Sequence, residues 1–308
     1  MIQSVSTVAA APASRPSDGA SGSGASAYAA DWQGTPSVAR APAPSAPAAP
    51  ANDTDLTART QESALLAADV YNDVPKPPAG YRVAGESELA ELGLTPTMLE
   101  QPGVSSFRAR VYATADGEGG TRYIVSFRGS KTGEDWQNNL QQGLGMDAPS
   151  YAKALQIGRQ LARSGAEVTL TGHSLGGGLA SAAAIASGRE ADTFNAAGLS
   201  DRTIGEARGI AAAQGRGAAA VQAWHVPGEA LTLVQDGGDR VAGSILGGLL
   251  GGPIGGIAGG VGADAPEAYG SRHTLPDVRP EGKSFWDGLN PVDRHGIDWV
   301  LAGAAALR

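Results

Sequence analysis

Ala166-Glu167-Val168-Thr169-Leu170-Thr171-Gly172-His173-Ser174-Leu175-Gly176-Gly177-Gly178-Leu179 is the stretch that decides how this chain is read. Its first six residues are strand-like, and the run from Leu179 to Ala186 is alanine-rich, as a buried helix is. Between them stands a serine with a glycine two residues away on each side. That spacing fits a tight strand-to-helix turn, because glycine lets the backbone close where a Cβ would clash. Such a turn lifts the Ser174 hydroxyl above the sheet edge and aims the first helical N–H groups at the same point, as in a nucleophile elbow. Ser174 is therefore expected to be a catalytic nucleophile; the competing reading is a structural turn.

The rest of the chain sets the frame. Its 308 residues could hold one large α/β domain or two small ones. The first fifty are dominated by Ala, Ser, Pro and Gly, with charge only at Arg15, Asp18, Asp31 and Arg40. Such a composition cannot bury enough apolar area to offset its ordering entropy, so residues 1–51 are expected to be a disordered leader. The leader lacks the basic start and continuous apolar run of a Sec signal peptide. It reads either as a solubilising tail or as an unfolded secretion leader for a needle-type export machine. Residues 52–308 are then one domain with a substantial core. The absence of cysteine excludes disulfides and thiolate metal sites and leaves the compartment open. A net charge of −8 argues against nucleic acid as a partner.

The elements alternate along the chain. Asn52 to Asn72 reads as a helix with Ala64, Ala67, Ala68 and Tyr71 on one face, broken by the proline-rich residues 75–80. Phe107–Ala113 and Tyr123–Phe127 read as strands around a hairpin loop, Asp116–Gly120. Then come a helix from Tyr151 to Arg163, the strand to Thr171, a helix to about Ser187 and a strand to Phe194. A helix from Arg202 to Gln214 and a strand from Ala219 to Val226 follow. Strands alternating with helices mean a mostly parallel central sheet with helices on both faces, the α/β-hydrolase arrangement. No internal repeat suggests a solenoid.

Acyl transfer needs more than a serine. One oxyanion donor is normally the N–H of the residue after the nucleophile, here Leu175, and the second comes from a loop after an earlier strand, where Ser126–Ser130 stands. The fold runs Ser, then Asp or Glu, then His. The strand Val221–Val226 leads into Pro227-Gly228-Glu229, which favours Glu229 as the acid, with Asp236 and Asp239 as alternatives. Of four histidines, His173 is too close in sequence to reach the Ser174 hydroxyl easily, and His225 sits inside a strand. His273 falls in an expected strand, Tyr269–Leu275. His295 lies beyond it, at the opening of a final helix with Ile297, Val300, Leu301 and Ala304 on one face. His295 is favoured over His273, although Asn290-Pro291 could start that helix early and place His295 inside it.

Phe127-Arg128-Gly129-Ser130, with Asp135-Trp136 and Asn138-Asn139-Leu140 downstream, and the Gly172-His173-Ser174-Leu175-Gly176-Gly177 elbow together resemble the class 3 lipase family. That family pairs an F-R-G-S/T oxyanion loop and a following D-W or N-W with a G-H-S-L-G-G elbow. The resemblance covers roughly residues 106–235. It implies that Ser130 offers its backbone N–H, and its hydroxyl as well, to the oxyanion. Its histidine precedes the last helix, as His295 does. The family's aspartate pattern, N-D-x-V-P, is replaced here by Gly228-Glu229. The resemblance implies a serine esterase or lipase acting on acyl esters of lipids, with no cofactor and no metal.

One feature falls outside that pattern. Val241–Ala263 carries no charge and spaces Gly243, Gly247, Gly251, Gly255 and Gly259 four apart. Small-xxx-small spacing lets helix backbones approach closely, yet each glycine and Pro253 weaken a helix. This Gly-rich insertion, 241–263, reads as a bilayer span, a lipid-dipping hairpin or lid, or a soluble loop. With the leader it favours phospholipid over triacylglycerol, a membrane surface as partner, and a secreted bacterial effector delivered to another cell's membranes. The rival expectation is a membrane-inserting or lipid-binding effector on a hydrolase-like scaffold. Oligomeric state is not legible.

Overall fold

The computed structural model describes residues 53–130, 148–236 and 266–308. The leader 1–51, Asp135-Trp136, Asn138–Leu140, Asp239 and the insertion 241–263 lie outside them.

Among the described residues seven strands form one sheet in sequential order: β1 (Arg82–Val83), β2 (Ala109–Ala115), β3 (Thr121–Phe127), β4 (Glu167–His173), β5 (Glu190–Phe194), β6 (Val221–His225) and β7 (Ser271–Thr274). The first three pair antiparallel and β3 to β7 pair parallel. Strand ends fall within about two residues of the sequence reading, as boundaries read from pattern usually do. The short strand β1 and the helices α2 (Glu86–Glu91) and α3 (Pro96–Leu99) were not expected. They are too brief to leave a periodic signature.

A sequential parallel order with right-handed crossovers places every crossover helix on the same face. Accordingly α4 (Ala148–Leu161), α5 (Leu175–Ser187) and α6 (Asp201–Ala213) pack side by side, with α5 over β3, β4 and β5. The other face is covered by the first and last helices, α1 (Asp53–Asp69) and α9 (Ile297–Ala305), packed on one another. Between β6 and β7 the chain forms α7 (Ala230–Asp236), and α8 (Pro291–Arg294) precedes α9. Among the described residues no helix is long and apolar enough to cross a membrane.

Register shows how both faces are satisfied. Val125, Leu170, Ala191 and Val221 form one row across β3–β6 and belong to the large apolar core. The next row, Ser126, Thr171 and Asp192, must point to the opposite face, since side chains alternate along a strand. There α1 meets it. Ser126 donates to the Leu66 carbonyl at 3.0 Å and Thr171 to the Ser63 carbonyl at 3.2 Å. Asp192 accepts from Ser63 at 3.1 Å and from Arg59 at 2.9 Å. A buried carboxylate is tolerable only when paired in this way. The polar row thus fixes α1 against the carboxyl-terminal half of the sheet, where the site lies. A second apolar cluster joins Ala64 and Ala67 of α1 to Phe194, Trp224, Trp299, Val300 and Ala304.

Candidate active site

The elbow is built by close approach. A Cβ on Gly172 would collide with the carbonyl of Gly176, and one on Gly176 would collide with the carbonyl of Phe127. Glycine at both places lets β4 turn into α5 while the 127–130 loop lies against the turn. Ser174 between them has φ +62°, ψ −128°, a strained backbone for a residue with a side chain. Its N–H donates to the Phe194 carbonyl at 3.0 Å, and its carbonyl accepts from Gly177 at 3.0 Å and Ala197 at 3.0 Å. These bonds hold the strained geometry. Ser174 is only 3% exposed, with Gly129 on one side and His295 on another.

Three side chains meet in series. His295 Nε2 lies 2.9 Å from Ser174 Oγ, and His295 Nδ1 lies 2.6 Å from Glu229 Oε2. A carboxylate only accepts, so Nδ1 carries the proton and Nε2 is left to accept from the serine hydroxyl. His295 is buried and so is Glu229. It stands at a break between helices: Asn290 caps Val292 at 3.0 Å, α8 runs only to Arg294, His295 ends it, and Gly296 opens α9. The expected final helix thus opens just after His295, and the early start at Asn290-Pro291 is a separate short helix that ends before it.

Glu229 sits one residue ahead of α7 and acts as its cap. Oε2 accepts from the Leu231 N–H at 2.8 Å, and Oε1 accepts from the Thr232 N–H at 2.5 Å and from the Thr232 hydroxyl. The Glu229 carbonyl takes the first helical bond, from Leu233 at 3.1 Å. A carboxylate at a helix N-terminus is favoured by the orphan N–H groups and the helix dipole. Burial pushes the carboxyl upward, but the bonds from His295 and Thr232 outweigh it and leave its pKa below the ordinary value.

Around this series lies a group that sequence reasoning missed. The His295 carbonyl accepts from His173 Nε2 at 2.8 Å and from Asn195 Nδ2 at 3.1 Å. Asn195 also accepts from the Val226 N–H at 2.9 Å and has φ +44°. Since His173 Nε2 donates, its Nδ1 is an acceptor, and Tyr71 Oη lies 3.0 Å from it. Tyr71 Oη in turn accepts from the Gly129 N–H at 3.2 Å. One chain of bonds thus runs from the 127–130 loop through Tyr71 and His173 to the backbone of His295. Burial, with the nearby His295, pushes the His173 imidazole down to about 3, so it stays neutral; burial likewise raises the Tyr71 hydroxyl. Tyr71, expected on the apolar face of the first helix, lies two residues past its end at Asp69, and nothing local marks its hydrogen-bonding role. Asn195 carries a weak one, as asparagine is among the few residues that tolerate positive φ.

The other candidates fall elsewhere. His273 stacks on Trp224 at 4.5 Å and meets Gln222 Oε1 at 2.6 Å. His225 lies 3.2 Å from the Thr274 hydroxyl. Asp236 ends α7, and Asp239 is outside the described residues. Leu175 begins α5, so its N–H has no partner within the helix, and Ser130 follows Gly129 beside the elbow. Among the described residues no cluster of His, Cys, Asp or Glu could hold a metal ion.

Residues 62–281, about seven-tenths of the chain, match the model of a phospholipase-like family described as the Tle-like phospholipase domain. The chain belongs to this family of phospholipase-like domains. The span that matches the Tle-like phospholipase domain holds Ser174 and Glu229 and ends before His295. A curated relative, an extracellular phospholipase A1 of Serratia liquefaciens, is 38% identical over 172 residues, 53% of this chain and 50% of its own length. The chain thus spans about half the length of the curated relative it matches.

Proposed function

We propose that this protein is a serine esterase that hydrolyses acyl ester bonds of phospholipids through Ser174, His295 and Glu229. The hydrogen-bonded series Ser174–His295–Glu229 at the end of β4 carries this reading. Ser174 Oγ attacks the ester carbonyl while His295 Nε2 takes its proton, and Glu229 stabilises the imidazolium that forms. The N–H groups of Leu175 and Ser130 receive the oxyanion; removing one such donor typically costs about 3–4 kcal/mol of barrier. His295 then protonates the leaving alcohol, and water, activated by the same imidazole, releases the fatty acid from Ser174.

The finer assignment, a class 3 lipase-like site, rests on the Phe127–Ser130 loop standing against the elbow through Gly129. Phospholipid as the substrate rests on the family and on the name of the Serratia relative. That relative's extracellular character and the composition of residues 1–51 support secretion and delivery to a target membrane.

A fluorophosphonate probe followed by peptide mapping tests the assignment. It should label Ser174 alone, and Ser174→Ala should lose both labelling and hydrolysis of p-nitrophenyl butyrate with little change in thermal unfolding. Labelling elsewhere, or an active Ser174→Ala variant, would overturn the assignment of Ser174; an intact protein that takes no label and hydrolyses no ester would favour the lipid-binding scaffold.

A further inference from the structure

The turn between β7 and α8 leaves three large apolar side chains in solvent: Phe285 is 62% exposed, Trp286 75% and Leu289 59%. Exposed hydrophobic residues scattered singly are ordinary; three within five residues form a patch. The turn is braced. The Ser284 N–H donates to Asp287 at 2.6 Å, and the Asp287 N–H returns to Ser284 Oγ at 3.2 Å. Lys283 bonds Asp293 at 2.7 Å and reaches Asp298 at 3.3 Å. The Phe285 and Trp286 rings pack edge to face, with centroids 5.6 Å apart. These aromatics are held out into solvent by a built turn.

Its mounting matters. Arg294 donates to the Gly288 carbonyl at 3.1 Å and to the Pro227 carbonyl at 2.6 Å. Pro227 stands two residues before Glu229, and Arg294 is the residue before His295. The aromatic turn is therefore fastened to the two segments that carry the acid and the histidine. Phe285, Trp286 and Leu289 make no bond to Ser174, Glu229 or His295 themselves.

We propose that Phe285, Trp286 and Leu289 are a docking surface for the headgroup–acyl boundary of a zwitterionic phospholipid bilayer, seating the enzyme with its site at the membrane. The choice of lipid rests on the proposed phospholipase activity and on three further observations. Trp settles at this boundary, apolar in body with a polar edge on the indole, and Phe and Leu are the side chains that insert beside it. The patch is small: three such side chains offer on the order of 500 Å², short of the roughly 800 Å² per partner of a stable protein interface. Charge gives the lipid class. Arg279 and Lys283 stand against Asp277, Glu281 and Asp287 on the segment 276–289, and the chain carries −8 overall. This segment therefore offers no net attraction to anionic lipid, and apolar insertion must drive binding.

The test uses the full chain with Ser174→Ala, with and without Phe285→Ala/Trp286→Ala, sedimented with phosphatidylcholine vesicles at low and high salt. Partition should fall by at least about tenfold in the substituted protein, and salt should leave the parent's binding unchanged. With Ser174 intact, the substituted enzyme should hydrolyse p-nitrophenyl butyrate within about twofold of wild type and lose vesicle hydrolysis in step with binding. Leu289→Ser carries the same test if the double variant does not fold. Unchanged partition, a parallel loss on the soluble ester, or a lipid-free dimer that the substitutions dissociate would each overturn the proposal. Failure of the esterase reading would show differently: no hydrolysis of any ester, with Trp286-dependent partition of the Ser174→Ala protein intact.

Discussion

Replacing Glu229 by glutamine changes one atom and should cost both turnover and stability, for reasons that can be counted. Each carboxylate oxygen already accepts two hydrogens: Oε2 from His295 and Leu231, Oε1 from the N–H and hydroxyl of Thr232. An amide has one oxygen and one NH₂ group. If the NH₂ takes the Oε1 place, it faces the two Thr232 donors; if it takes the Oε2 place, it faces Leu231 and forces His295 to the wrong tautomer. Either way at least one buried donor loses its acceptor, about 1–3 kcal/mol of stability, and the anionic cap of α7 is lost as well. Turnover should fall by on the order of a thousandfold or more, because the imidazolium loses its counter-charge. Acid behaviour provides a second reading. The folded carboxyl of Glu229 lies below its ordinary value of 4.5. Its contribution to stability is therefore fully present above that value and is lost as pH falls through the folded pKa. Urea unfolding at pH 7 and pH 4, beside kcat on p-nitrophenyl butyrate, measures both effects. A folded Glu229→Gln protein that keeps kcat within about tenfold of wild type would refute the orienting role. Unchanged stability would refute the cap.

Tyr71→Phe removes the shared partner of Gly129 and His173; we expect kcat on a soluble ester to drop roughly tenfold with KM little changed, and an unaltered kcat would reduce the chain of bonds to scaffolding. His173 predicts an acid liability. Its folded imidazole titrates near 3 against an ordinary 6.5, so between those values the unfolded chain takes up a proton that the folded one refuses. Stability should fall by about 2 kcal/mol from pH 7 to pH 5 on this account, and His173→Gln should flatten that loss. Equal pH dependence of the two proteins in urea unfolding would show that another group is responsible.

What could be read from the chain and what could not divide along physical lines. Glycine spacing around Ser174 is a local demand, so residues 166–187 announce strand, turn and helix without help from the rest of the molecule. The order of acid and histidine is a property of the sheet, and it directed attention to Glu229 and His295, which the structure brings within hydrogen-bond reach of each other and of Ser174. Glutamate where the class 3 lipases that the sequence resembles carry aspartate looked like a departure; its double use as helix cap and histidine partner gives the longer side chain a purpose that only the fold reveals. Tyr71 and Asn195 were illegible because their roles exist only where α1, β5 and the 295–296 break converge. The opening of the final helix after His295 was legible from Ile297, Val300, Leu301 and Ala304; the short helix α8 before it was foreshadowed only by Asn290-Pro291. The aromatic turn at 285–289 went unread for a different reason: an exposed Trp leaves no periodicity, only a burial that fails to occur.

The pairing of α1 with α9 has a consequence for timing. Ala64 and Ala67 share the second apolar cluster with Trp299, Val300 and Ala304, more than two hundred residues downstream. Contacts that far apart are slow to form, because the intervening chain must first be brought together. The same late segment carries His295. On the proposed reading, a chain with Ser174 and Glu229 already in place lacks its base until the segment carrying His295 has docked. Proteolytic loss of residues 290–308 would return the finished molecule to that condition. On the proposed reading, competence waits on the docking of α9 beside α1.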